Sequence, residues 1–138
     1  MKVVFLYARS LVFSAGIFSI FLTSCGSKPK SSRALVGIYD ATTPFSKEVL
    51  TLDAAGAFRQ QVTLSSSGKV TTTSGIWAYD AANGTIRFES NFILVMTGLQ
   101  EISPDAEKPQ KDAVVYDVLK SHGAVCIGDE EYVVYKHR

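Results

Sequence analysis

Residues 53–68 read DAAGAFRQQVTLSSSG. From Ala57 to Leu64 the side chains alternate: Phe58, Val62 and Leu64 fall on one side, and Arg59, Gln61 and Thr63 on the other. Successive side chains leave an extended strand in opposite directions, so a period of two marks a strand with one buried face. Gln60 is the one polar interruption of the apolar side. Asp53 and Gly56 frame a tight turn before this strand, and Ser65 to Gly68 supply another after it, since Asp starts turns and Gly accepts positive φ. Turns this short join antiparallel neighbours and leave no room for a crossover helix.

The same pattern continues in both directions. Residues 35–40 (LVGIYD) and 47–53 (KEVLTLD) read as strands, with Leu50 and Leu52 sharing a face. Residues 69–80 (KVTTTSGIWAYD) form a long strand that puts Gly75, Trp77 and Tyr79 on one side. AANG at 81–84 closes a hairpin, Asn-Gly being a strong turn signal. Residues 85–89 (TIRFE) alternate again, Ile86 and Phe88 against Arg87 and Glu89. Residues 91–100 (NFILVMTGLQ) are continuously apolar from Phe92 to Met96. Periodicity does not separate strand from helix in such a run, and a strand is expected. Residues 103–112 (SPDAEKPQKD) hold two prolines and five charges and read as an exposed loop. Three more strands are expected over 113–120, 124–127 and 131–136. The expectation is an all-β domain: an antiparallel up-and-down meander of about eight strands, closed or nearly closed into a barrel. Closure removes the edges that an open sheet would expose.

The stretch GIWAYD at 75–80, followed by Ile86, Phe88, Asn91 and Phe92, resembles the G-x-W-x-Y-D pattern of small secreted bacterial proteins with a lipocalin-like sheet. The resemblance covers roughly residues 47–92 and implies architecture, with no catalytic residue to carry over. The chain departs from true lipocalins in being short and in carrying Trp77 in a middle strand instead of near the start. Trp77 therefore reads first as a core aromatic. Phe58, Trp77, Tyr79 and Phe88 are the candidates to line either the core or a ligand, with Tyr116 completing the bulky inward set.

The N-terminus carries Lys2 and Arg9 and then an uncharged run over residues 11–22 (LVFSAGIFSIFL). This is shorter than the ~20 residues a membrane span needs and suits a signal peptide. It ends in Leu22-Thr23-Ser24-Cys25, which resembles the lipobox of bacterial lipoproteins. The alternatives are an uncleaved anchor helix and an ordinary signal with a chance cysteine. The resemblance implies cleavage before Cys25, a diacylglycerol on its sulfur and an acyl chain, palmitate for example, on its new amino terminus. Several chains anchor stably where one does not. Gly26, in place of Asp, points to the outer membrane, with the domain facing the periplasm of the cell envelope. The expected organisation is a signal peptide over 1–24, a lipidated Cys25 with a flexible tether over 25–34, and one barrel domain over 35–138.

Without residues 1–24 the chain keeps 114 residues, with 12 basic against 13 acidic side chains. That balance excludes a nucleic-acid partner, which calls for a clear basic excess. With Cys25 lipidated, Cys126 stands alone, so no intramolecular disulfide forms, and a buried, inert thiol is expected. His122 and His137 lack the partner spacing of a metal site, and the acidic run Asp129, Glu130 and Glu131 reads as a solvated turn. No G-x-S-x-G elbow, phosphate-binding glycine loop or H-E-x-x-H occurs, so neither an enzyme nor a cofactor is expected. Binding remains. The first expectation is an interaction module that binds or inhibits an envelope protein through loops 42–46 and 103–112. The alternative is a carrier of a small apolar ligand inside the barrel. An apolar cavity of roughly 300 Å³ or more, open at one end, favours the carrier.

Overall fold

A computed structural model of the chain describes residues 26–95, 109–129 and 133–138. Among the described residues there are eight strands: β1 (Gly37–Thr42), β2 (Ser46–Leu52), β3 (Ala57–Leu64), β4 (Val70–Asp80), β5 (Thr85–Phe88), β6 (Val114–Ser121), β7 (Ala124–Asp129) and β8 (Val133–His137). Each pairs antiparallel with the next, and β8 returns to β1 through Tyr39↔His137 and Asp40↔Lys136, closing the barrel. The fold is thus the expected up-and-down meander, lipocalin-like in its topology. An Arg138–Asp40 pair with N–O distances of 2.6 and 2.7 Å clips the C-terminus beside that seam.

Two strands change partner midway. In β4, residues up to Ile76 pair with β3, and Trp77 to Asp80 pair with β5. In β6, Val114 to Asp117 pair with β5, and Val118 to Ser121 pair with β7. The turns at 53–56, 81–84 and 122–123 lie at one end, here called the lower end. Residues 43–45, 65–68 and the β5–β6 connection lie at the upper end.

The lower turns are built as their residue types dictate. Asp53 Oδ1 accepts from the backbone N–H of Ala55 and Ala57 at 2.9 and 2.8 Å. Asp80 Oδ1 accepts from Ala82 and Asn83 at 2.9 and 3.1 Å. Gly56 and Gly84 then turn the chain at φ of 88° and 69°, a region that costs glycine little.

Residues 91–100 depart from the expected strand. Their described part, residues 91–95, is not in a strand; residues 96–100 lie outside the described residues. Asn91 takes φ of 63°, a left-handed conformation that Asn tolerates better than most residues. It turns the chain inward over the upper end, where Phe92, Ile93 and Val95 are all buried. Consecutive apolar residues are buried together here because the segment enters the barrel instead of joining its wall. Of the loop expected over 103–112, residues 103–108 lie outside the described residues. Gln110 exchanges backbone hydrogen bonds with Asn91 and Phe92 at 2.8 and 2.9 Å.

The first strand also starts later than expected, because Ser32–Leu35 is a 3₁₀ helix whose Leu35 is fully buried at the lower end. Residues 26–34, expected as a flexible tether, lie against the barrel. Ser27 bridges to Lys120, Pro29 is buried, and Tyr79 Oη donates to the Pro29 carbonyl at 2.7 Å. Lys28 Nζ donates to the Asn83 carbonyl at 2.9 Å. Composition marks such a segment as unable to build a core of its own. It gives no notice that a tyrosine 50 residues away holds it down.

Phe92 centres the core. Its ring stacks on Phe88 at 4.3 Å and lies 5.7 to 6.3 Å from Phe58, Tyr116 and Tyr135. Gly75 makes room for this cluster: a Cβ there would stand 2.7 Å from the Phe58 ring and 2.8 Å from the Ser90 carbonyl.

Candidate functional site

The apolar face of β3 carries Gln60, and the matching face of β2 carries Glu48 two residues before Leu50. Both are buried, at 0 % and 3 % exposure. With Leu50↔Gln60 and Glu48↔Val62 in register, the two polar side chains are diagonal neighbours inside the upper half of the barrel. Tyr135 reaches them from β8.

A buried carboxylate must replace the water it loses. Glu48 Oε1 accepts from Ser46 Oγ at 2.8 Å, while Oε2 accepts from Gln60 Nε2 at 3.1 Å and from Tyr135 Oη through a short bond. Ser46 is held in turn, its hydroxyl 3.1 Å from Thr43 Oγ1. Among the described residues Glu48 has three side-chain donors, and all are neutral. Burial above all, with the adjacent Glu48 charge, pushes the Tyr135 hydroxyl well above its ordinary pKa of 10.0, so it keeps its proton and donates.

Gln60 has a second task. Its Nε2 donates to the Ile93 carbonyl at 2.9 Å, and its Oε1 accepts from the Ile93 N–H at 2.8 Å. One side-chain amide therefore satisfies both peptide groups of a residue that has no strand neighbour. Buried peptide groups without partners are costly, so the polar residue on β3 is what allows residues 92–95 to lie inside the barrel.

Beside this network is a mostly apolar cavity of about 330 Å³. It lies between residues 93–95, the first half of β6 and the start of β8, with Val114, Tyr116 and Val133 in its wall and Glu48 and Tyr135 lining it as well. The volume falls at the lower end of the range for small-molecule sites, which pair an apolar lining with a few convergent polar groups.

The residues singled out in the sequence sit elsewhere. Phe58, Trp77 and Phe88 belong to the packed core below the cavity, with exposures of 2 %, 5 % and 0 %. Tyr79 packs partly buried against that core and spends its hydroxyl on Pro29. Only Tyr116, of the inward set, lines the cavity. Cys25 lies outside the described residues. Cys126 is a free thiol and half-buried, because Val125 and Ile127 take the buried positions of β7 and leave it on the outer side. The residues that sequence reasoning passed over are Ser46, Glu48 and Tyr135. The signal for them was a second polar interruption: Glu48 shares the alternation of Leu50 and Leu52 just as Gln60 shares that of Phe58 and Val62.

Compared with models of protein families, with curated proteins and with solved structures, the chain matches none. What it shares with lipocalin-like proteins is the closed antiparallel barrel of eight strands, and its site is read from its own residues.

Proposed function

We propose that this protein is an envelope lipoprotein, anchored through acyl chains on Cys25, whose barrel holds a small apolar ligand at its upper end. The cavity of about 330 Å³ is the observation that carries the ligand half of this reading. It exceeds the roughly 300 Å³ at which small-molecule pockets begin, and an apolar space beside fixed polar groups suits a molecule with one polar end. The role is binding, with no catalytic step and no nucleic-acid partner.

The anchor rests on the lipobox-like sequence. It is supported by the lower end, where Gly26 packs near Leu119 and Lys120. Lys28, Lys30, Lys120 and Arg138 line a groove at the same end, and basic side chains close to a membrane gain from anionic headgroups. An anchor there leaves the cavity facing away from the bilayer, into the periplasm if the membrane is the outer one. Replacing Cys25 by Ala should abolish palmitate labelling and release the protein from the membrane fraction in high salt. Retention of the variant in that fraction would overturn the lipid anchor.

The ligand half is tested on the full chain in lipid nanodiscs, with empty nanodiscs as the blank. The neutral probe N-phenyl-1-naphthylamine should fluoresce on binding to the wild type, and Leu94→Trp, which fills the cavity, should remove that signal without lowering thermal stability. Failure of the wild type to bind would turn the reading towards an interaction module that binds or inhibits an envelope protein. One observation favours that second reading: the Phe58, Phe88 and Phe92 cluster fills the middle of the barrel and confines free space to one end.

A further inference from the structure

Among the described residues the cavity is lined by two carboxylates, Glu48 and Asp117, and by no lysine, arginine or histidine. Asp117 is exposed, so water screens it, but Glu48 is 3 % exposed. Neither of the ion pairs formed among the described residues, Arg87–Glu89 and Arg138–Asp40, involves Glu48. Among the described residues its hydrogen bonds come from a serine, an amide and a phenol, three donors for about four acceptor sites and none of them cationic.

We infer that the cavity takes an apolar molecule whose single polar end is a protonated amine, seated against the Glu48 carboxylate. This rests on the ligand-binding reading above and names the chemistry of that ligand. A fatty acid would bring a second negative charge to a buried one, which is repulsive at short range and poorly screened. An alcohol would donate one hydrogen bond to the carboxylate and bring no positive charge to it. An ammonium group can donate to the carboxylate as an alcohol does and adds the attraction of opposite charges, which is strong where water is excluded. The apolar body would lie along Leu94, Val95, Val114 and Val133, which line the same space.

The bland account is that Glu48 only ties β2, β3 and β8 together. A structural tie sets stability and has no preference among ligands, so the two accounts part in a binding series. Hexylamine, 1-hexanol and hexanoate share one body and differ at the head. Calorimetric titration of the full chain in nanodiscs, corrected for empty nanodiscs, should rank hexylamine at least about ten-fold tighter than 1-hexanol, with hexanoate weakest. Glu48→Gln keeps the shape and removes the charge, and it should abolish the preference for the amine over the alcohol.

Should that variant fail to fold, the wild type labelled with ¹³C at the tyrosine ring ζ carbon gives a second readout. Tyr135 donates to the same carboxylate, so hexylamine should shift its signal further than 1-hexanol does at equal occupancy. Equal binding of amine and alcohol by the wild type, or an amine preference that survives Glu48→Gln, would overturn the amine assignment while leaving an apolar site standing. Binding of none of the three would overturn the assignment together with the carrier reading.

Discussion

The two ends of this barrel solve the same problem in different ways. At the lower end the opening is closed by a buried Leu35, and three polar groups around it go to backbone carbonyls: Tyr39 Oη to Leu35, Tyr79 Oη to Pro29, Lys28 Nζ to Asn83. At the upper end the chain also turns inward, but side chains are bonded to side chains around a buried carboxylate, and a cavity is left. An apolar plug with backbone acceptors is the less costly closure, because it buries no charge. A barrel that needed only to be shut could have used it twice. The upper end instead keeps a charge out of water, which suits a site more than a seal.

The largest test of this contrast lies between the ends. Phe92 touches the aromatic groups below it and, through the next residue, the polar network beside it. Phe92→Ala should cost about 3–5 kcal/mol in a denaturant titration, the range for removing a buried phenylalanine ring. It should also loosen residues 92–95 enough to raise hydrogen exchange at Ile93. A loss below about 1 kcal/mol would mean that this segment is not part of the core and that the upper end is simply open.

Next in size is the network itself. Tyr135→Phe removes one donor from Glu48 and leaves the buried carboxylate with two, which should cost about 1–3 kcal/mol. At the lower end Tyr79→Phe removes a donor from an uncharged peptide carbonyl, and about 0.5–1.5 kcal/mol is expected. The comparison sharpens if the first variant also weakens amine binding and the second leaves it untouched. Equal losses in the two variants, with equal binding, would break it.

How much of this could be read from the chain follows from what periodicity reports. Alternation tells which residues share a face, so Phe58, Val62 and Leu64, the hairpin turns and the closed meander were all legible. It also flagged Gln60 as misplaced. Its partners were not legible, because they lie 12 residues away at Glu48, 33 at Ile93 and 75 at Tyr135. Local patterns carry no information about which distant strands will meet. The inward run at residues 92–95 was misread for a related reason. A segment inside a barrel buries consecutive side chains, and so does a strand buried on both faces, so the two look alike until Asn91 is seen at positive φ. The contacts of residues 26–34 were not legible, because the groups they meet, Tyr79 and Asn83, lie 50 and 55 residues further along the chain.

The smallest effect expected is at the seam between β1 and β8, on the outer wall. Arg138 donates through Nε and Nη2 to the two oxygens of Asp40, and both side chains are about half exposed. The hydrogen bond from Arg138 holds the Asp40 carboxyl below its ordinary value of 3.8. The sign follows from linkage: the folded state binds the proton less readily than the unfolded chain, so the pair stabilises the fold above the unfolded value. That contribution fades as pH falls from there through the lower folded value. Because water and salt screen exposed pairs, it should be small and sensitive to ionic strength. Asp40→Asn should therefore lower the thermal midpoint slightly at pH 7 in low salt and less in 1 M salt. At pH 2 the two proteins should melt closer together than at pH 7. By contrast, the deficit of Tyr135→Phe at the upper end should hold in 1 M salt at pH 7, since its carboxylate partner is out of water. A salt-sensitive Tyr135→Phe would mean that Glu48 is solvated, and with it the distinction between the two ends would fall.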